Sequence, residues 1–267
     1  MKYITDTLKY LKSNLLLLPA LAVAMAAFAI IIDFDAAERV AQSYSNGVLQ
    51  ASLTDWIRLF VPFNTENWLT GLLSVVAYAA LIFDVAFVHS MVDKHIRFGS
   101  KSFRSIISSL TINCVYGCVF TLVLAAACTL LGLVAAVVMR AFSLAPAYVF
   151  IAGAALCSLL AAFAVFVAAH IALWLPCSEI TGYKMGEAFY CSYAQARTVR
   201  WKIFFALIIP LAAAVVITAL FTVFVNAAAG RIAGAICFGC AFMFISVATY
   251  IAYADVEGIE RVDLKKY

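Results

Sequence analysis

The chain has 267 residues, of which 66% are hydrophobic and only 12% are charged, and its formal net charge at pH 7 is +4. A soluble domain of this length could not cover so much apolar surface with so few polar side chains. The composition therefore excludes an ordinary soluble globular protein and predicts an integral membrane protein.

Six apolar runs are long enough to cross a bilayer, which requires about 20 residues for a hydrocarbon core of about 30 Å. They cover roughly residues 15–32, 69–92, 107–139, 147–176, 203–228 and 232–254. Such runs show no strand-like alternation, and a spanning backbone must satisfy its own hydrogen bonds, so they predict helices. We expect one all-α, polytopic domain over residues 1–267, with six transmembrane helices and basic amphipathic helices at the cytoplasmic surface.

The basic residues are unevenly divided between the two sides of this predicted bundle. Of the 18 Lys and Arg, only Arg39, Arg58, Arg140 and Arg231 fall outside when the N-terminus is placed in the cytoplasm, which leaves fourteen inside. The positive-inside rule then predicts that both termini lie in the cytoplasm. We expect a bacterial inner-membrane protein. Anionic lipid headgroups are the expected partner of this charge, and a nucleic-acid partner has no support.

The chain begins with a basic stretch that leads directly into the first apolar run. Apolar residues of the segment 2–12 recur on one helical face, which is typical of a helix lying on a membrane surface. These residues are Tyr3, Ile4, Leu8 and Leu11. We expect an uncleaved first span rather than a secretory signal, with a bend near Pro19.

The segment 33–67 is the only long connection predicted on the outside. Its residues 49–61 have helical apolar periodicity and predict an amphipathic helix on the outer surface, with Trp56 and Trp68 at headgroup depth. Its acids Asp33, Asp35 and Glu38 have the oxygen chemistry of a divalent-cation site. Three acids at a water interface are more often a solvated collar, and we expect no metal site.

Basic arms precede three helical hairpins, near Met1, Lys94 and Lys184. The chain is therefore divisible into possible hairpin units at 1–93, 94–183 and 184–267. The first and third arms also share a spacing, since Lys9-Tyr10 precedes Pro19 as Arg200-Trp201 precedes Pro210. An internal repeat and a coincidence within an apolar chain are both compatible with this pattern.

Polar and ionisable residues within the predicted spans are the sharpest candidates for a functional site, because they are costly there. The hypothesis is a substrate or proton site formed by Asp84, Asn113 and His170. Asp84 and His89 are five positions apart and point in different directions on a helix, so Asp84 would meet His170 from another helix instead. A buried hydrogen bond between helices is the structural alternative.

The segment 184–202 is the longest polar passage in the second half of the chain. Phe189, Tyr193 and Val199 recur at helical spacing just before a new apolar run. This pattern predicts a short basic helix seated at the cytoplasmic membrane surface, as a docking element or lipid contact. The candidate residues are Lys184, Glu187, Phe189, Arg197, Arg200 and Lys202.

Motifs of known chemistry are absent from the sequence, which shows no nucleophile elbow, phosphate loop, HExxH or paired zinc-ligand spacing. Cys237 and Cys240 have the spacing of a redox pair but lie inside an apolar run, where cysteine commonly serves as a small apolar residue. We therefore expect neither a cofactor nor an enzymatic activity.

A set of residues around the segment 184–202 resembles a signature of bacterial multi-pass membrane families, among them the membrane domain fused to glycerophosphodiester phosphodiesterases. The residues are Pro176, Glu179, Gly182, Ala188, Ser192, Arg197, Trp201 and Phe204. The resemblance covers about 30 of the 267 residues and implies a membrane-embedded helical module with an interfacial arm and a role near lipids. The sequence does not contain the phosphodiesterase domain.

A second resemblance is to the coupling loop of ABC importer permeases, which Glu187-Ala188 would begin, with two spans following as in that family. It implies a partner ATPase. Phe189 and Tyr193 depart from the small residues of that loop, and Pro210 comes one helical turn late. The expected function is a membrane-homeostasis or transport-associated module, with a permease subunit and a structural, partner-binding or homo-oligomeric protein as alternatives.

Overall fold

The computed structural model describes residues 2–45, 51–99, 103–144 and 147–264, and every regular element in these ranges is helical. Short 3₁₀ turns lie at Leu15–Leu17 and Val262–Leu264. The α-helices are α1 (Lys2–Ser13), α2 (Leu18–Ile31), α3 (Phe34–Ser45), α4 (Leu53–Phe60), α5 (Trp68–Phe98), α6 (Phe103–Ser143), α7 (Ala147–Ile171), α8 (Trp174–Thr181), α9 (Met185–Phe224) and α10 (Ala227–Val256).

Five stretches of helix are long and apolar enough to cross a membrane. They are Trp68–Phe98, Cys114–Ser143, Val149–Thr181, Met185–Phe224 and Ala227–Val256. The pair of α1 and α2 makes a sixth if its bend of 87° is counted within one span. The expectation of an all-α, polytopic membrane protein is therefore confirmed.

Helix α10 is the centre of the bundle and packs against α1, α2, α5 and α9. Small residues allow this close approach, as is common between membrane helices. A Cβ atom added to Gly239 would lie only 2.6 Å from Cγ of Met25 on α2, and one added to Gly234 would lie 2.5 Å from the ring of Phe34. Glycine at these positions thus fixes how near α2 and α3 come to α10.

The predicted basic N-terminal helix is present as α1, but its buried face differs from the prediction. Tyr3, Thr7 and Tyr10 are buried, whereas Leu8 is exposed. The chain turns between Ser13 and Leu15 rather than at Pro19. Pro19 lies in the first turn of α2, where its missing N–H costs no helical hydrogen bond.

We use the name basic end for the end of the bundle that carries α1, residues 93–99, α8, the start of α9 and residues 250–264. The opposite end carries α3 and α4. At the opposite end the predicted outer helix is present as Leu53–Phe60, with Ser52 as its N-cap. Trp56 is only 3% exposed and packs beside Ala136 and Met139 of α6, so its side chain faces protein. Its place at headgroup depth stays a prediction.

Helix α9 is continuous over 40 residues, about 60 Å at about 1.5 Å per residue. The structure differs here from the prediction of a separate short surface helix followed by a span. The predicted surface segment is instead the first half of one long helix that contains Pro210 in its interior.

Candidate functional site

A buried pair of ionisable side chains joins α5 to α8 at the basic end. Nδ1 of His89 lies 2.8 Å from Oε2 of Glu179, and the two side chains are 2% and 3% exposed. Glu179 lies on α8, a separate eight-residue helix. Gly182 ends this helix in the left-handed conformation, with φ of 69°. Such a conformation favours glycine.

A second polar pair continues this arrangement onto α10. The hydroxyl of Tyr250 donates to Oδ1 of Asp93 at 2.5 Å, and Arg97 donates to the same oxygen at 3.1 Å from one turn further along α5. The ring of His89 meets the ring of Tyr250 edge to face, with centroids 5.9 Å apart. We call these five residues, His89, Asp93, Arg97, Glu179 and Tyr250, the buried polar network.

The network has both proton-binding and structural chemistry available to it. A histidine in contact with a glutamate can share one proton between its ring nitrogen and a carboxylate oxygen. Removal of either partner leaves the other buried without compensation. Oε1 of Glu179 is buried and has no hydrogen-bond partner in the part of the chain that the structure describes. No group of three metal-ligating side chains occurs among the described residues.

Asp84 and His170 are both described, and no hydrogen bond joins them. Asp84 is 4% exposed, and its Oδ2 has no partner among the described residues. The ring of His170 instead hydrogen-bonds through Nδ1 to the carbonyl of Phe166 at 2.9 Å, and stacks on Tyr193 of α9. The side chain of Asn113 lies outside the described residues, so the proposed site of Asp84, Asn113 and His170 stays a prediction.

The candidate docking residues lie on the outer faces of α9, but the helix is held by protein contacts. Its buried stripe consists of Ala188, Ser192 and Ala196. Phe189 meets Trp174 edge to face at 5.7 Å while remaining 44% exposed. Of the charged candidates, Lys184, Glu187, Arg197 and Lys202 are exposed, and Arg200 is half-buried.

The three acids at the opposite end serve separate contacts. Oδ1 of Asp33 accepts a hydrogen bond from the backbone N–H of Ala36 at 2.9 Å, which caps α3. Asp35 pairs with Arg231 at 3.1 Å, and Glu38 accepts from Gln42. The alternative of a divalent-cation site at these acids is therefore not supported by their geometry.

The sequence predicted neither pair of the buried polar network. His89 and Glu179 are 90 positions apart, and Tyr250 and Asp93 are 157 apart. One signal was available, because Glu179 is the single acid between an apolar run and the helix-ending Gly182. Comparison with protein-family models, curated proteins and solved structures found no match to this chain.

Proposed function

We propose that this protein is a non-enzymatic membrane-homeostasis module of a bacterial inner membrane, whose basic end faces the cytoplasm and binds anionic phospholipid headgroups. The supporting observation is that Lys9, Lys12 and Arg197 are exposed at the basic end and have no ion-pair partner among the described residues. Their charge is therefore available to a headgroup phosphate.

At the opposite end, three arginines have partners within the protein. Arg39 donates to Asp55 at 3.0 Å, Arg231 pairs with Asp35, and Arg140 donates to the carbonyl of Ala51 at 3.0 Å. At the basic end four carboxylates have partners within the protein. Glu179 and Asp93 belong to the buried polar network, Asp255 pairs with Lys2, and Asp263 pairs with Arg261. Glu187, Glu257 and Glu260 are exposed at the same end.

Each basic residue near an anionic membrane surface contributes about 1 kcal/mol to lipid binding. Neutralising two of them should therefore lower the preference for anionic lipid by about thirtyfold, because every 1.4 kcal/mol is about tenfold. This preference should shrink as salt rises, since exposed charges are screened over about 10 Å at 0.1 M.

The test uses the full-length protein in bilayer discs of mixed phosphatidylglycerol and phosphatidylcholine. Native mass spectrometry of the extracted protein measures how strongly the anionic lipid is enriched. The double variant Lys9→Gln/Arg197→Gln should lose enrichment, whereas the charge-matched control Arg39→Gln/Arg231→Gln should keep it. Equal enrichment in all three proteins, or equal loss in both double variants, would contradict the proposal.

The buried polar network favours a second candidate, a transport-associated protein that moves or senses protons. Ionisable side chains placed within membrane helices commonly mark ion or proton pathways. In sealed vesicles with an internal pH dye, such a protein should carry a proton flux that Glu179→Gln removes while the variant stays folded. The absence of flux in the parent protein would leave the network with a structural role only.

A further inference from the structure

The elbow between α1 and α2 borders a groove whose lining contains neither the exposed Lys9, Lys12 and Arg197 nor any residue of the buried polar network. The groove has a volume of about 230 Å³, well above the roughly 10–15 Å³ that a single water molecule needs. Its lining is apolar except at one position. Lining residues include Leu11, Asn14, Leu15, Leu18, Cys240 and Met243. We call it the elbow groove.

Asn14 is the one polar side chain of this lining and is 3% exposed. Its Nδ2 donates to the carbonyl of Tyr10 at 2.8 Å and to Oγ of Ser13 at 3.2 Å. Because the carbonyl of Tyr10 can only accept, the amide orientation is fixed and Oδ1 must face away. Oδ1 has no partner among the described residues and almost no exposed surface. A ligand donor would relieve this unpaired acceptor once a small side-chain shift in the groove wall exposes it.

The position of the groove matches the boundary between headgroups and hydrocarbon. The helical stretch Leu15–Ile31 follows a bend of 87° from α1 and is about 25 Å long at about 1.5 Å per residue, close to the thickness of a hydrocarbon core. Asn14 therefore lies at the edge of the span. Leu15 and Leu18 continue the groove toward the apolar side, and Lys12, two positions before Asn14, is exposed.

We propose that the elbow groove binds one phospholipid of the phosphatidylglycerol class, with an acyl chain against Leu18 and Cys240, its phosphate near Lys12, and a headgroup hydroxyl that donates to Oδ1 of Asn14. This inference rests on the proposed function, because it assigns a specific lipid site within the basic end. Charge complementarity favours an anionic lipid, and the unpartnered acceptor favours a headgroup that carries a hydroxyl donor.

The first experiment compares short-chain lipids that separate these contributions, titrated onto the full-length protein in detergent and measured by native mass spectrometry. Phosphatidylglycerol has one negative charge and headgroup hydroxyls, phosphatidylmethanol has the same charge and no hydroxyl, and phosphatidylcholine has neither a net charge nor a donor. Phosphatidylglycerol should bind about three- to tenfold more tightly than phosphatidylmethanol, the range of one net hydrogen bond. Asn14→Leu should make the two equal.

Lys12→Gln should weaken both anionic lipids about fivefold and leave their ratio unchanged. Glycerol phosphate, which has no acyl chain, should not bind measurably. Equal binding of phosphatidylglycerol and phosphatidylmethanol by the parent protein would overturn the assignment of the headgroup. Tight binding of phosphatidylcholine at the same site would overturn the charge requirement.

The acyl chain is tested by filling the groove from the lipid-facing side of α10. Cys240→Phe adds a ring within the lining, whereas Ile236→Phe adds one a turn away, where the side chain is exposed and does not line the groove. The first variant should lose phosphatidylglycerol binding by about tenfold or more, and the second should keep it. Equal binding by both would overturn the groove as the site.

Failure of this inference is distinguishable from failure of the proposed function. If the proposed function holds and the groove is not the site, anionic enrichment is lost in Lys9→Gln/Arg197→Gln but kept in Asn14→Leu and Cys240→Phe. If the proposed function fails, the parent protein shows no anionic enrichment at all. A parent that enriches phosphatidylglycerol through the groove residues supports both.

Discussion

Replacing Glu179 by leucine removes one partner of a buried pair and leaves the other partner in place. Both side chains are at most 3% exposed, so water cannot compensate for the missing contact. Breaking a buried ion pair at one partner costs about 3–5 kcal/mol, whereas replacing both partners by apolar residues of similar volume is often neutral. We therefore expect Glu179→Leu and His89→Leu each to lower the free energy of unfolding by about 3–5 kcal/mol.

The double variant His89→Leu/Glu179→Leu should be more stable than either single variant. The assay is unfolding in mixed micelles with increasing dodecyl sulfate, followed by circular dichroism, with the four proteins forming a double-mutant cycle. A matched control is Arg97→Gln. The side chain of Arg97, which pairs with Asp93, is 32% exposed. Its loss should therefore lower the free energy of unfolding by no more than about 1 kcal/mol. If the double variant loses the sum of the two single losses, the pair is not coupled and the argument fails.

Three further predictions follow from other parts of the molecule. Gly239→Leu should destabilise the bundle by about 1–3 kcal/mol, because the new side chain meets α2. The control is Gly186→Ala, whose new Cβ atom meets nothing within 4 Å. It should be neutral or slightly stabilising in the same unfolding assay. Burial opposes the ionisation of Asp55, but hydrogen bonds from the serine N-cap and the arginine of α3 hold its pKa below the ordinary value. The stabilisation from a lowered pKa is present above the ordinary pKa of the carboxyl and is lost as pH falls through its pKa in the folded protein. The parent should therefore lose stability in acid. Asp55→Asn should lack the part of this loss that comes from Asp55. In intact cells an impermeant thiol reagent should label Thr65→Cys and not Tyr183→Cys; the reverse pattern would invert the proposed orientation.

The sequence predicted the helical architecture well, because a helix that crosses a bilayer needs about 20 consecutive apolar residues, and such runs are visible in the sequence. The run expected at 69–92 is present within α5, Trp68–Phe98, and the basic surface helix expected at 2–12 is α1, Lys2–Ser13. Both signals are local, since one depends on consecutive apolar residues and the other on helical periodicity. Pairings between distant helices have no such local signal.

Trp56 shows why the partner of an amphipathic helix face is harder to predict than the helix itself. Amphipathic periodicity correctly indicated a helix around this residue, but the sequence could not show that α6 covers its apolar face. The side chain therefore packs in the protein, 3% exposed, with its ring stacked on Phe60. The same limit applies to α9, where the small residues Ala188 and Ala196 form the buried stripe instead of the aromatic residues that sequence periodicity favoured.

The buried polar network and the proposed lipid-binding face are connected through charge. Glu179 is held inside the protein by His89, and Asp93 is held by Tyr250 and Arg97. Carboxylates placed on the surface of the basic end would oppose an anionic headgroup, since like charges near a surface repel over about 10 Å at 0.1 M salt. Placing Glu179 and Asp93 in the network therefore keeps two more acids away from Lys9, Lys12 and Arg197, on a surface that already carries the exposed Glu187, Glu257 and Glu260.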